Sequence, residues 1–288
     1  MRVPRKRKAP CQSRRCPTFS PLFERLTHPP FAVNGELVYG ATTFSVFNDE
    51  AYFSRDFVKK TQEEYEKYVA YEFSDTLSHA EKVEYLEEWF ASFFTRLTRE
   101  NVSMEVLEKV ASKAVVSFRQ GTFHLLRLCQ LFGVPFLVLS AGISQVIEKL
   151  LEVHAPSSSV TRGLEIGANH LVFDEGGRVQ DFSKPVIHSL NKLESFREFV
   201  DASYRKHFDD FPPEEINVIL LGDHIGDAHL ASCFPREANV IKIGFLNHFE
   251  QSLLQTYKET FDVVAMNDGS MRVVIELLLE VFKAWPHV

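Results

Sequence analysis

Two aspartates four residues apart close an apolar run in Val218-Ile-Leu-Leu-Gly-Asp-His-Ile-Gly-Asp227. Carboxylate oxygens on a glycine-flexed loop are hard ligands of the kind Mg2+ takes. The same residues serve equally well as a polar turn with an aspartate capping a helix. A second run, Val134-Pro-Phe-Leu-Val-Leu-Ser140-Ala-Gly142, ends in a small hydroxyl and a glycine before an apolar-faced helix. Free N–H groups and a positive dipole end there suit a phosphate, and ordinary capping by Ser140 is the structural alternative. Lys192 opens a helical stretch after Asn191, and Glu72 follows an amphipathic stripe in Tyr-Glu-Phe-Ser-Asp. A lone glutamate in that setting is by default a surface residue.

The elements that must position these residues follow from apolar period. Val218 to Leu221 is a continuous apolar run, as expected of a strand buried on both faces and ending at the ligand-binding edge of a parallel sheet. Further strands are expected at Leu164–Phe173, Arg178–Phe182, Asn239–Gly244 and Phe261–Ala265, with a hairpin turn at Asp-Glu-Gly-Gly and helices between. Strands alternating with helices after residue 133 imply an α/β fold, a doubly wound and mostly parallel sheet. Before them, three stripes have helical period: Phe57, Thr61, Tyr65, Tyr68; then Val83, Leu86, Phe90, Phe93, Leu97; then Leu107, Val110, Ala111, Ala114, Val115, Phe118. They predict an α-helical module packed on the α/β core, with Asp75 and Ser78 as caps.

Charge and composition narrow the function classes. Residues 1–20 hold seven basic side chains and no acid, which leaves a net −14 on the remainder of a chain whose total is −7. A folded part this acidic disfavours nucleic acid as a partner and must concentrate its cations to hold an anion. No run reaches the roughly 18 to 20 apolar residues of a membrane span. Cys11, Cys16, Cys129 and Cys233 lack disulfide-framework or zinc spacing, so a reducing compartment is the default. Residues 1–31, rich in arginine, lysine and proline, are expected to be a tail or loop rather than a sheet strand.

In chain order, a strand ending at Ser140, a downstream lysine and a strand followed by Gly-Asp-x3-Asp resemble motifs II, III and IV of the haloacid-dehalogenase-like phosphatases. The resemblance narrows with Tyr71-Glu72-Phe-Ser-Asp75, Glu87-Glu88-Trp89, Phe136 through Ser140-Ala-Gly-Ile-Ser-Gln-Val-Ile147, and His188-Ser-Leu-Asn-Lys192. With Leu220-Leu-Gly-Asp-His-Ile-Gly-Asp227 and Ile241-Lys-Ile-Gly-Phe-Leu-Asn247, these segments resemble the cytosolic pyrimidine 5′-nucleotidases (cytosolic 5′-nucleotidase III) over roughly residues 42–284. The resemblance implies Mg2+-dependent hydrolysis of nucleoside 5′-monophosphates, CMP, UMP or 7-methyl-GMP, through an aspartyl-phosphate. It also implies a cytoplasmic protein, expected to be a monomer with neither a nucleic-acid nor a membrane partner.

Carried over by residue, Ser140 and the amide of Ala141 would hold the phosphate, Lys192 would neutralise it, and Asp223 would ligate Mg2+. Asp227 would support that loop, and Glu72, on an inserted helical cap spanning 48–120, would meet base or sugar. Residues 32–47 and 121–288 would form the core. Such roles suit phosphoryl transfer, which depends on positioning and charge neutralisation.

The first motif of that family, Asp-x-Asp-x-Thr followed by Leu and Thr or Ser, has no counterpart here. Leu26-Thr27 matches its end, and projecting back puts Arg25 at the threonine and Phe23 and Pro21 at the aspartates. The nucleophilic aspartate is therefore absent, and with Pro17 and Pro21 in place the first core strand is expected to be absent too. The abrupt change of composition before Leu26 favours a leading stretch of different origin, from another start, splice junction or reading frame. The other expectation is a non-catalytic nucleotide-binding or interaction protein on the same scaffold.

Overall fold

The computed structural model describes residues 17–20, 31–33 and 36–38 as strands, and residues 43–283 apart from 73, 75, 115, 117, 248–250 and 268. Asp75 and Val115, and the projected positions Pro21, Phe23, Arg25, Leu26 and Thr27, lie outside the described residues. The strands are β1 (Pro17–Ser20), β2 (Phe31–Val33), β3 (Glu36–Val38), β4 (Phe136–Ile143) and β5 (Leu164–Asn169). They continue with β6 (Leu171–Phe173), β7 (Val179–Phe182), β8 (Asn217–Gly222), β9 (Asn239–Leu246) and β10 (Val263–Met266). The helices are α1 (Arg55–Glu72), α2 (His79–Leu97), α3 (Met104–Lys113), α4 (Thr122–Phe132) and α5 (Ser144–His154). After them come α6 (Lys192–Phe208), a 3-10 helix at Ile225–Cys233, α7 (Gln251–Thr260) and α8 (Arg272–Lys283).

Six strands form one parallel sheet in the order β10-β9-β8-β1-β4-β5. Its central strands are apolar on both faces, and alternate residues go to different cores. Val138, Ile219, Leu221, Ile243 and Phe245 pack with α4, α5 and α8, whereas Leu139, Val218 and Leu220 pack with Phe196 and Val200 of α6 and Leu230 of the 3-10 helix. That is the doubly wound α/β architecture expected from the alternation of elements.

The expected absence of the first core strand is overturned. β1 lies in the central slot, with Pro17 to Ser20 opposite Asn217 to Leu220 on β8, and Phe19 opposite Phe136 on β4. The prolines bracket the strand instead of interrupting it. Pro17 is its first residue and Pro21 follows its last, so the three residues between them keep their ladder donors.

α1, α2 and α3 fall inside the stretch expected to be helical, and their apolar stripes enter the same cluster as the sheet. Phe94 of α2 stacks on Phe182 of β7 with ring centroids 4.8 Å apart, and Phe44 meets Phe93 edge-on at 5.1 Å. Ser78 caps α2 in a capping box with Glu81, and Gly133 closes α4 at φ 65°. Two details of the stripes differ. Tyr65 is exposed and leans on Trp89 at 6.0 Å, and α3 stops at Lys113, so Ala114 and Phe118 pack from the segment beyond it. No helix among the described residues is long and apolar enough to cross a membrane.

Candidate active site

Register alone brings the two candidate loops together. Phe19 of β1 pairs with both Phe136 and Ile219, so Ser140 and Asp223, each four residues further on, reach the same height at the carboxyl end of the sheet. One strand lies between theirs, and two inter-strand steps put the pair about 10 Å apart. Ligands bind at this edge of open α/β sheets.

Ser140 does not cap a helix. β4 runs on through Ile143, and α5 begins at Ser144 with no side-chain cap at its N-terminus. The Ser140 side chain is buried, and its hydroxyl oxygen accepts the Gly142 N–H at 3.0 Å. Gly142 is needed for space: a Cβ there would lie 2.3 Å from Thr43 Oγ1 and 3.1 Å from Ser140 Oγ. Buried Thr43 thus brings a second hydroxyl against the loop.

Lys192 begins α6 and its Nζ donates to Asp227 Oδ1 at 3.5 Å. Asp227 is 1% exposed, and its other oxygen accepts the His224 N–H at 2.8 Å, which ties the lysine to the turn after β8. A buried carboxylate needs such partners to remain ionised at modest cost. Half-buried Asp223 sits in the same turn, where Tyr257 of α7 donates its hydroxyl to the Asp223 carbonyl. Gly222 before it admits the Phe261 ring, which a Cβ would meet at 2.7 Å.

The segment leading to Lys192 is held by side-chain amides. Asn169, fully buried at the end of β5, donates to the carbonyls of Ala141 (2.7 Å) and Ile187 (2.8 Å) and accepts the Ile187 N–H (2.8 Å). Asn191 accepts the His188 N–H and donates to the Val186 carbonyl, both at 2.8 Å. His188 is fully buried, and burial, reinforced by His79, pulls its pKa down to about 4. Its Nδ1 accepts the Leu190 N–H at 3.3 Å, which leaves the hydrogen on Nε2, a buried atom with no hydrogen-bond partner among the described residues. Glu72, at the end of α1, accepts the Ser189 hydroxyl at 2.5 Å, so the helical module touches this segment. Glu72 is therefore not a free surface residue.

Of the residues expected to act, Lys192 and Asp227 are in direct contact, Ala141 is linked to the lysine segment through Asn169, and Glu72 reaches that segment through Ser189. Thr43, Asn169 and Ser189 were not legible as site residues. Each is a common polar type without motif spacing, and Asn169 acquires meaning only through its burial between two loops.

Among the described residues no three His, Cys, Asp or Glu side chains gather as a metal-holding group. Asp227 is engaged by Lys192 and His224, and Asp223 adds a half-buried carboxylate in the same turn. Among the described residues this set fits a Mg2+ ion that would keep water and phosphate oxygens for most of its shell.

Comparison with known proteins places the chain in a family. The chain is 29% identical over 237 residues to the 7-methylguanosine phosphate-specific 5′-nucleotidase of Drosophila melanogaster, covering 82% of this chain and 72% of that one. It is 27% identical over 241 residues to a putative cytosolic 5′-nucleotidase 3 of Caenorhabditis elegans, where it spans 62% of the relative and 83% of itself. The crystal structure of cytosolic 5′-nucleotidase IIIB bound to cytidine superposes with a TM-score of 0.77 at 27% identity, covering 94% of this chain and 87% of that one. The core is accordingly a haloacid-dehalogenase-like fold. The family profile of pyrimidine 5′-nucleotidase (UMPH-1) matches residues 26–282. By that match over most of its length, the chain belongs to the pyrimidine 5′-nucleotidase (UMPH-1) family, a family of 5′-nucleotidases of the phosphatase type.

Proposed function

We propose that this chain holds nucleoside 5′-monophosphates (CMP, UMP or 7-methyl-GMP) in a 5′-nucleotidase site and, lacking the nucleophilic aspartate, does not hydrolyse them. The observation that carries the reading is the level placement of Ser140 and Asp223 on either side of β1. Lys192 is fastened to the Asp223 turn through Asp227. The family profile begins at residue 26, so β1, which ends at Ser20, and the projected motif positions at 21, 23 and 25 lie before the matched stretch.

In this reading the Ser140 oxygen is occupied by the Gly142 N–H, and its own O–H is left to donate to a phosphate oxygen. The Ala141 amide and the uncapped end of α5 add partial positive charge. Lys192 supplies the full charge that an acidic chain must localise, and Asp227 holds it in place. Mg2+, when bound, would add charge neutralisation through Asp223. Glu72, fixed beside the lysine segment by Ser189, would meet base or sugar from a helical cap spanning 48–120, over a core of 32–47 and 121–288. A pyrimidine nucleoside suits the cytidine named for the similar structure. A monomer in the cytoplasm, without nucleic-acid or membrane partners, completes the proposal.

Titration calorimetry with each nucleotide and Mg2+, run beside a phosphate-release assay, tests both halves. Binding of at least one nucleotide that weakens tenfold or more in Lys192→Ala, with no phosphate released, is the expected result. Phosphate release that disappears in Asp223→Asn would overturn the loss of catalysis. Failure of all three nucleotides to bind would overturn the site.

A further inference from the structure

Asn169 makes three hydrogen bonds through its side-chain amide, and they go to two different loops. Its Nδ2 hydrogens go to the Ala141 and Ile187 carbonyls, and its Oδ1 takes the Ile187 N–H. The Ile187 N–H determines which end of the amide is oxygen. Ile187 is thus gripped at both backbone groups, as a neighbouring strand would grip it.

The Ala141 carbonyl shares a peptide plane with the Gly142 N–H, and in a trans peptide the two point in opposite directions. Drawing the carbonyl toward Asn169 therefore turns the Gly142 N–H away, to where it meets Ser140 Oγ at 3.0 Å. That bond fills the hydroxyl's acceptor side and leaves its hydrogen to donate. On the other loop, the Ile187 grip continues through His188 and Asn191 to Lys192, whose Nζ lies 3.5 Å from Asp227.

We propose that Asn169 is a positioning residue which fixes the Ser140–Gly142 turn and the lysine segment relative to each other, so that hydroxyl and ammonium converge on one phosphoryl group. This rests on the phosphate-binding reading above. A near-isosteric carboxylate in Asn169→Asp keeps the bond from the Ile187 N–H but turns oxygen against two carbonyls. Asn169→Ser keeps a small polar group and loses the reach.

The test uses the full chain with inorganic phosphate, CMP and cytidine as calorimetric probes, and amide hydrogen exchange without ligand. Expected in both variants is at least a tenfold loss of affinity for phosphate and CMP, with cytidine affinity within about twofold of the parent. Exchange should lose protection at Gly142 and Ile187 together while β8 and β9 keep theirs. Unchanged phosphate affinity, or phosphate and cytidine weakened by the same factor, would overturn the proposal. So would protection lost at Ile187 alone, or in every strand alike. A parent chain that binds no phosphate sinks the reading it rests on, and the exchange pattern then still decides whether Asn169 couples the two loops.

Discussion

At the scale of single residues, the contact between Lys192 and Asp227 joins the chemistry to the fold. Lys192→Ala removes the cation that a carboxylate only 1% exposed accepts from. Stability should fall by about 2 kcal/mol, read by denaturant unfolding at pH 7, alongside the loss of nucleotide affinity. His188 predicts a pH dependence. Its folded pKa near 4 lies below the ordinary 6.5, so below pH 6.5 the unfolded chain takes up a proton that the folded chain refuses. Its contribution is fully present above pH 6.5 and lost as pH falls toward 4, by about 3 kcal/mol. Denaturant midpoints measured across that window should fall less steeply in His188→Phe than in the parent chain. Asp223, Asp227 and Ser140 stood out in the sequence because an apolar strand and glycines adjoin them, and Lys192 because it opens a helical stretch. Asn169 and Thr43 did not, since an amide or hydroxyl shows its use only when the chain has closed around it.

Elements repeat the contrast between local and long-range information. β8 and α6 were readable from their own residues: an unbroken apolar run for the strand, and a helical stretch opening at Lys192 for the helix. β1 was not. Pro-Thr-Phe-Ser has neither an apolar run nor alternation long enough to read, and its place is dictated by β4 and β8, which would otherwise leave ladder groups unpaired. The end of β4 was misjudged for a related reason, because Ser-Ala-Gly resembles a capping sequence while the strand continues to Ile143. This extended turn is tight, and Gly142→Ala would drive a Cβ to 2.3 Å from Thr43 Oγ1 and 3.0 Å from its Cγ2. A cost of about 2 kcal/mol is expected, with partial recovery in the double variant Gly142→Ala/Thr43→Ala. Thermal unfolding of the four chains of that cycle measures the coupling.

Over the whole molecule, the helical module and the sheet share one apolar cluster. Val46, Phe47, Phe93, Phe94 and Leu97 belong to the same packed group as Val138, Ile219 and Phe245. Heating should therefore give one cooperative transition with equal calorimetric and van't Hoff enthalpies. Phe94→Ala, which empties a buried ring position against Phe182, should lower that single transition at a cost of about 3–5 kcal/mol without splitting it in two. Two resolved transitions would show that the module folds on its own.

The short central strand also bears on the order in which the molecule assembles. β4 and β5 are near neighbours in the chain, as are β8, β9 and β10, so each half of the sheet can pair early by closing modest loops. β1 must find partners at Phe136 and at Asn217 to Leu220, across most of the polypeptide, and loop-closure entropy makes such pairing late. One half carries Ser140 and Asn169, and the other carries Asp223 and Asp227. Four residues arriving last would act as a keystone, and the proposed phosphate site would come into being in the same step that completes the sheet.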